Sequence, residues 1–173
     1  KIYLFIRAHE EMRSDFLKVA EKNGAEEDGI MKKKGIINPD LAYALADLGH
    51  MDSFVICDMG FPIPKDAKRI DLSVVAGMPE FLPVLKACLN EVAVQEMVLM
   101  EGVVSSNEYL HDQILHMVHN QEVGYLSFAD FREKVKDAKF FIRTGEKRPC
   151  SNIFMVTSSG AEERVAKYDI SFI

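Results

Sequence analysis

The sequence contains no tryptophan, three cysteines, and no hydrophobic run that approaches the length of a membrane span. A transmembrane helix needs about 20 consecutive apolar residues, so we expect no contact with a membrane. Cys57, Cys88 and Cys150 form an odd set that lacks the paired spacing of a zinc site. We therefore expect reduced thiols, which are typical of a cytoplasmic protein.

Basic clusters are also scarce. The formal net charge is -6, and the densest basic stretch is the KKK run at residues 32–34. Nucleic acids and anionic membranes are bound through broad positive surfaces, so the charge pattern argues against both partners. The hydrophobic content of 48% over 173 residues is sufficient for a core that needs neither disulfides nor a metal.

The order of local patterns predicts a main domain with an addition at each end. Residues 1–30 read as an extension of one strand and one helix, residues 31–160 as the domain, and residues 161–173 as a strand-like tail. Within the domain, helical patterns alternate with apolar runs at 54–57, 69–75, 94–100, 140–142 and 153–156. This alternation predicts an α/β fold with a layered, largely parallel sheet flanked by helices.

The segment 48–64 contains the candidate site. Gly49 is suited to the left-handed position after a helix, and it is followed by His50, whose residue type commonly serves as an acid or base in enzymes. Asp58 leaves the buried strand and Asn152 opens a later one, so both can lie at the strand ends where α/β folds bind ligands. Each residue also has a simpler structural interpretation. His50 closes a helix, and Asp58 and Asn152 satisfy backbone groups of their loops. Asp52 either orients His50 or only begins the strand.

The remaining histidines do not form a metal motif. Two histidines bind one metal from a helix when they are four residues apart, but Leu115 occupies the position four residues after His111. His116 and His119 are three residues apart, with no carboxylate suitably placed. Phosphate-binding and nucleophile-elbow glycine motifs are absent as well. We expect no metal and no cofactor.

Six short stretches, in order, resemble the D-ribose pyranase family, which is related to the L-fucose mutarotases. They are MKKKG at 31–35, LGHMD at 48–52, CDMGFPIP at 57–64, RIDL at 69–72, GMPEF at 77–81 and IRTGE at 142–146. The resemblance extends over about residues 31–156. The PIP loop and the RID that follows it are closer to ribose pyranase than to fucose mutarotase.

The resemblance implies a cytoplasmic enzyme that interconverts the pyranose and furanose forms of ribose without metal or cofactor. It also implies a homodecamer built from rings, with sites at subunit boundaries. His50 matches the family's catalytic histidine, Asp58 the aspartate that supports it, and Asn152 an asparagine that binds the sugar. A catalytically reduced sugar-binding or regulatory relative is the alternative.

Two positions depart from the family pattern. Cys150 stands where the family usually has a tyrosine, two residues before the asparagine. Phe128 stands where a second histidine is expected, three residues before Phe131. The first change removes a hydroxyl donor and a flat sugar contact, and the second removes a candidate proton-transfer group. Both changes bear on the choice of sugar and on activity.

Overall fold

The computed structural model describes residue 32, residues 34–118, residue 121 and residues 123–159. The predicted extension, residues 1–30, and the predicted tail, residues 161–173, lie outside these residues. The strands are β1 Ser53–Cys57, β2 Arg69–Asp71, β3 Val94–Met100, β4 Val123–Leu126, β5 Phe140–Arg143 and β6 Ile153–Thr157. The α-helices are α1 Pro39–Ala46, α2 Phe81–Leu89, α3 Val103–Ser106, α4 Glu108–Met117 and α5 Phe128–Lys134, and a 3-10 turn, Val135–Asp137, follows α5.

The six strands form one sheet in the order β2-β5-β1-β6-β3-β4. β6 pairs antiparallel with both β1 and β3, whereas the other pairings are parallel. Five strands therefore share one direction and β6 alone runs against them, which confirms the predicted α/β fold with a largely parallel sheet. The reversal places the start of β6 at the same edge as the end of β1.

Both faces of the sheet are buried. Along β1, Phe54 and Ile56 point to the face that α1, α2, α3 and α4 cover, while Val55 and Cys57 point to the face that α5 and the 3-10 turn cover. This alternation follows from the two-residue period of a strand. It explains why the sequence of β1 is apolar throughout, as expected of a strand between two layers of helices.

The predicted start of α1 is confirmed. Asn38 caps the helix, since its side-chain oxygen accepts a hydrogen bond from the Leu41 N–H at 2.9 Å, and Pro39 occupies the first turn. The prediction for Gly49 is wrong: α1 ends at Ala46, and the left-handed residue is Met51, with φ 69°. The turn closes instead around the Asp52 carboxylate.

The second strand is shorter than its apolar run. β2 ends at Asp71, because the backbone turns back on itself between Val74 and Met78. This turn lies against Gly145, where an added Cβ would lie 2.4 Å from the Met78 carbonyl oxygen.

Among the described residues, no helix has both the length and the apolar content needed to cross a bilayer.

Candidate sugar site at the carboxyl edge of the sheet

Asp58 and Asn152 form a buried, reciprocal pair at the carboxyl edge of β1. The Asn152 amide Nδ2 donates to Asp58 Oδ2 at 3.0 Å, and the Asp58 backbone N–H donates to Asn152 Oδ1 at 3.1 Å. Asp58 is 7% exposed and Asn152 is 1% exposed. The pair is possible because antiparallel β6 begins beside the point where β1 ends.

The loop between β5 and β6 supports this pair through its own hydrogen bonds. The Thr144 hydroxyl donates to the Cys57 carbonyl at 2.9 Å, which ties the loop to the end of β1. The Ser151 hydroxyl donates to the Arg148 carbonyl at 3.0 Å and accepts from the Asn107 amide at the same distance. Satisfied buried networks of this kind define a single arrangement, so Asn152 is held in a fixed position.

The burial of the Asp58 carboxyl shifts its pKa. Burial raises the pKa of the Asp58 carboxyl above its ordinary value, and hydrogen bonds from the Asn152 side chain and from backbone N–H groups partly offset that rise. One of these N–H groups is that of Gly60, 2.9 Å from Asp58 Oδ1. The carboxyl thus caps its own loop, as the simpler interpretation expected, and also faces a cavity.

The cavity in front of the pair has a volume of about 400 Å³. Four of the six predicted site residues line it: Asp58, Phe128, Cys150 and Asn152. Pockets for small ligands combine a mostly apolar lining with a few well-placed polar groups, and this cavity has that character. Its other lining residues were not predicted: Gly60, Phe61, Pro62, Met100, Glu101, Gly102 and Pro149.

Cys150 forms part of the cavity wall in a constrained conformation. Its φ of 65° lies in the left-handed region, which is uncommon for a residue with a side chain. Its sulfur lies against Gly102, where an added Cβ would be 2.6 Å from Sγ. Glycine at position 102 therefore makes room for the Cys150 side chain in the wall.

His50 and Asp52 lie elsewhere. Both precede β1, whereas Asp58 follows it, and a five-residue strand is about 17 Å long. His50 is exposed and lines a separate hollow with Thr157. Asp52 accepts hydrogen bonds from the Gly49 N–H at 2.8 Å and from Lys139 Nζ at 2.7 Å, so its carboxylate holds the turn rather than the histidine ring.

The helical histidines have local partners. His111 Nε2 lies 2.8 Å from the Tyr125 hydroxyl, and His116 Nδ1 lies 2.7 Å from the Asp112 carbonyl. His119 is outside the described residues. Within residues 34–118 and 123–159, no three histidine, cysteine, aspartate or glutamate side chains converge as metal ligands would.

The sheet, the buried polar pair and the partly apolar cavity form an α/β domain with a candidate site for a small polar molecule. Residues 31–159 match the family described as the RbsD / FucU transport protein family. The chain belongs to this family. The resemblance on which the site residues were assigned is thereby confirmed at the level of the family.

A curated relative and two solved structures show how far the similarity extends. The D-ribose pyranase of Kosmotoga olearia is 39% identical over 133 residues, which covers 76% of this chain and 99% of the relative. The structure of Bacillus subtilis RbsD complexed with D-ribose is 39% identical with a TM-score of 0.70, covering 74% of this chain and 98% of that one. The fucose mutarotase of Streptococcus pneumoniae, in complex with L-fucose, is 25% identical with a TM-score of 0.58, covering 70% and 93%.

Proposed function

We propose that this protein is an isomerase, a sugar pyranase, that interconverts the pyranose and furanose forms of ribose or a closely related monosaccharide. The observation that carries the proposal is the buried Asp58–Asn152 pair facing a cavity. It occurs in a chain whose relatives include D-ribose pyranases along nearly their whole length. The structure of Bacillus subtilis RbsD with bound D-ribose supports the same class of substrate.

The reaction combines proton transfers with the breaking and re-forming of one carbon–oxygen bond. A base removes the proton of the anomeric hydroxyl, an acid protonates the ring oxygen, and the bond between the anomeric carbon and that oxygen breaks to leave the open-chain aldehyde. Closure through a different hydroxyl oxygen, with the reverse proton transfers, gives the other ring size. The overall step needs no redox cofactor, and one group near its working pKa can serve as base and then as acid.

We assign the sugar contacts to the cavity residues. The Asp58 carboxyl and the Asn152 amide offer acceptors and a donor for sugar hydroxyls, and the apolar walls suit the C–H surface of the ring. Burial raises the pKa of the Asp58 carboxyl, and we assign this group to hydrogen-bond a sugar hydroxyl and to support the catalytic histidine. These roles agree with the ones that the family resemblance implies.

His50 is assigned the acid/base role from a second copy of the chain. β1 separates it from Asp58 by about 17 Å in one chain, far beyond hydrogen-bond reach. A head-to-tail contact would bring the amino edge of one sheet to the carboxyl edge of another, and such contacts form a ring when the rotation between copies closes. This supports the predicted homo-oligomer built from rings, for which we retain the decamer that the family implies.

The cellular setting is proposed to be the cytoplasm. Cys57, Cys88 and Cys150 are all free thiols, and the first two are buried. Burial raises the pKa of Cys88 to about 12, so this thiol stays protonated and unreactive. Unpaired thiols of this kind suit a reducing compartment.

A sugar-binding relative with little or no catalysis is the second candidate. It is favoured by Phe128 and Cys150, because the aromatic ring cannot transfer a proton and the thiol is a weak hydrogen-bonding group. In this case the cavity would still bind the sugar but would not accelerate ring opening.

Nuclear magnetic resonance exchange between the ring forms of ribose separates the two candidates. We expect the wild-type chain to accelerate exchange between pyranose and furanose signals, and His50→Ala to abolish the acceleration while sugar binding persists. His116→Ala is the matched control, since that exposed histidine bonds only to its own helix backbone in the described contacts.

The outcomes are distinct. Saturable ribose binding without any acceleration by the wild-type chain would support the sugar-binding relative and exclude the isomerase. Acceleration that survives in His50→Ala would retain the isomerase and remove His50 from its mechanism. Absence of both binding and acceleration would exclude both candidates.

A further inference from the structure

His50 is exposed, but the peptide groups on both sides of it are hydrogen-bonded to one residue. The Gly49 carbonyl belongs to the peptide before His50, and the Met51 N–H belongs to the peptide after it. The Gly49 carbonyl accepts from the Thr157 hydroxyl, and the Met51 N–H donates to the Thr157 carbonyl at 3.2 Å. Thr157, the last residue of β6, therefore holds the backbone of His50 from both sides.

Thr157 also holds the residue that follows this turn. Its N–H donates to the Asp52 carbonyl at 2.9 Å, and its hydroxyl lies 3.0 Å from the same carbonyl. Thr157 is 3% exposed, and hydrogen bonds made away from water are electrostatically stronger than those in solvent. The hydroxyl therefore contributes a bonding group to the turn and not only buried volume.

The backbone conformation of the turn explains why this support matters. Met51 has a φ of 69°, a left-handed conformation that persists for a residue with a side chain only where its surroundings hold it. The Asp52 N–H donates to the Gly49 carbonyl at 3.2 Å, which closes the turn on itself. The bonds from Thr157 attach the closed turn to β6.

The same strand reaches both halves of the proposed site. β6 begins directly after Asn152, which lines the sugar cavity, and ends at Thr157. It pairs with β1 on one side and β3 on the other, so its two ends are held in a fixed relation. β6 thus positions Asn152 at the carboxyl edge of the sheet and the His50 turn at the amino edge.

We propose that Thr157 is a positioning residue for catalysis, which holds the turn that presents His50 to the reacting sugar. It does not touch the sugar, and it acts only through His50. The His50 side chain is exposed and free to reach the site of a second copy, while its backbone is held. This inference rests on the proposed function, and it names the residue that orients the acid/base group.

The test is ring-form exchange of ribose, measured against sugar concentration for wild type, Thr157→Val, Thr157→Ser and Asn38→Ala. Valine has nearly the shape of threonine but lacks the hydroxyl, whereas serine keeps the hydroxyl. Asn38→Ala is the control for a general loss of stability, because it removes the cap at the end of α1 that lies away from this turn. Urea unfolding of each chain verifies that it is folded in the assay.

We expect Thr157→Val to lower kcat about 10- to 100-fold, because a small displacement of a catalytic group can cost about 100-fold in rate. The KM for ribose should stay within about twofold, since the cavity residues lie at the other edge of the sheet. Thr157→Ser should restore the wild-type kcat, and Asn38→Ala should retain both constants.

Hydrogen exchange of the wild-type chain provides a second measurement that does not depend on the folding of any variant. The amides of Met51 and Thr157 are bonded across the turn. We expect both to exchange at least about 100-fold more slowly than in the unfolded chain. Unprotected amides at these two positions would overturn the inference.

Four kinetic results would also overturn the inference while leaving the isomerase intact. An unchanged kcat in Thr157→Val would show that the turn needs no hydroxyl, and a raised KM with unchanged kcat would move the effect to sugar binding. An equal loss of kcat in Thr157→Ser would separate the effect from the hydroxyl, and an equal loss in Asn38→Ala would trace it to stability. A wild-type chain that neither binds nor isomerises ribose would instead overturn the proposed function, and this inference with it.

Discussion

Asp58 and Asn152, 94 positions apart in the sequence, exchange two hydrogen bonds at the mouth of a cavity. One strand ends just before Asp58, and the strand that runs against it begins just after Asn152. The two side chains therefore meet because β6 runs antiparallel to β1 in an otherwise parallel sheet. Removing either partner leaves a buried polar group without its bond.

Asn152→Ala should weaken both stability and sugar binding. The change removes the donor to the Asp58 carboxyl and the acceptor of the Asp58 N–H, and a buried polar group left unsatisfied costs about 1–3 kcal/mol. We expect the free energy of unfolding in urea to fall by that order and ribose affinity to fall with it. Asn90→Ala, at an exposed helix end, is the control. Equal effects at the two positions would contradict the role given to the pair.

Asp58→Asn should change the pH dependence of stability. The raised native pKa means that the stabilising contribution of Asp58 is complete below the unfolded pKa near 3.9 and is lost as pH rises through the native value. Urea unfolding of both chains from about pH 4 upward should therefore show Asp58→Asn gaining stability relative to wild type. A difference that stays constant with pH would refute the raised pKa, whatever the offset between the chains.

Asp71→Asn should change the pH dependence of stability in the direction opposite to Asp58→Asn, and it serves as the contrast. Desolvation raises the pKa of Asp71, but hydrogen bonds from Arg143 and Ser73 outweigh it and lower the pKa to about 2. The stability from this pair is present above the unfolded value near 3.9 and is lost as pH falls through about 2. We expect a penalty of about 1 kcal/mol for the partly exposed pair at neutral pH, disappearing in acid. A penalty that is as large at about pH 2 as at neutral pH would contradict this linkage.

The sequence predicted the strand-end positions of Asp58 and Asn152, because both residues flank apolar runs. The apolar run 54–57 predicted a strand that ends before Asp58, and the run 153–156 predicted a strand that begins after Asn152. The resemblance then identified Phe128 and Cys150, which share their cavity. Phe61 and Met100 carried no comparable signal, since buried apolar residues look alike in sequence whether or not they border a cavity.

The separation of His50 from Asp58 follows from the strand that lies between them. The two residues are eight positions apart, but the extended strand between them places them at opposite edges of the sheet. The turn before β1 also differs from the expectation, because Met51 rather than Gly49 adopts the left-handed conformation. Local propensity favoured glycine, but the Gly49 N–H donates to the Asp52 carboxylate, and the left-handed residue lies two positions after Gly49.

Gly102→Ala should disturb the cavity wall through Cys150. The added Cβ would lie 2.6 Å from the sulfur, so the side chain at position 150 must move. We expect a loss of about 1–3 kcal/mol in unfolding free energy, typical of overpacking, together with weaker sugar binding. Adding Cys150→Gly should restore most of the stability, since glycine removes the clash and suits the φ of 65°.

The double-mutant cycle at positions 102 and 150 supplies its own check. If the two changes are coupled through this contact, the loss in the double variant is smaller than the sum of the single losses. Strict additivity would mean that Gly102→Ala acts on another part of the wall.

Mixing two inactive chains tests whether one site draws on two copies. His50→Ala and Asp58→Asn are expected to be inactive alone, but a co-assembled equal mixture regains native sites where a normal His50 meets a normal Asp58, at about a quarter of head-to-tail interfaces. Ring-form exchange of ribose should recover accordingly. His50→Ala mixed with the double variant carrying both changes restores no site and is the control. A mixture that co-assembles by native mass spectrometry yet stays inactive would show that His50 does not complete the site of a neighbouring copy.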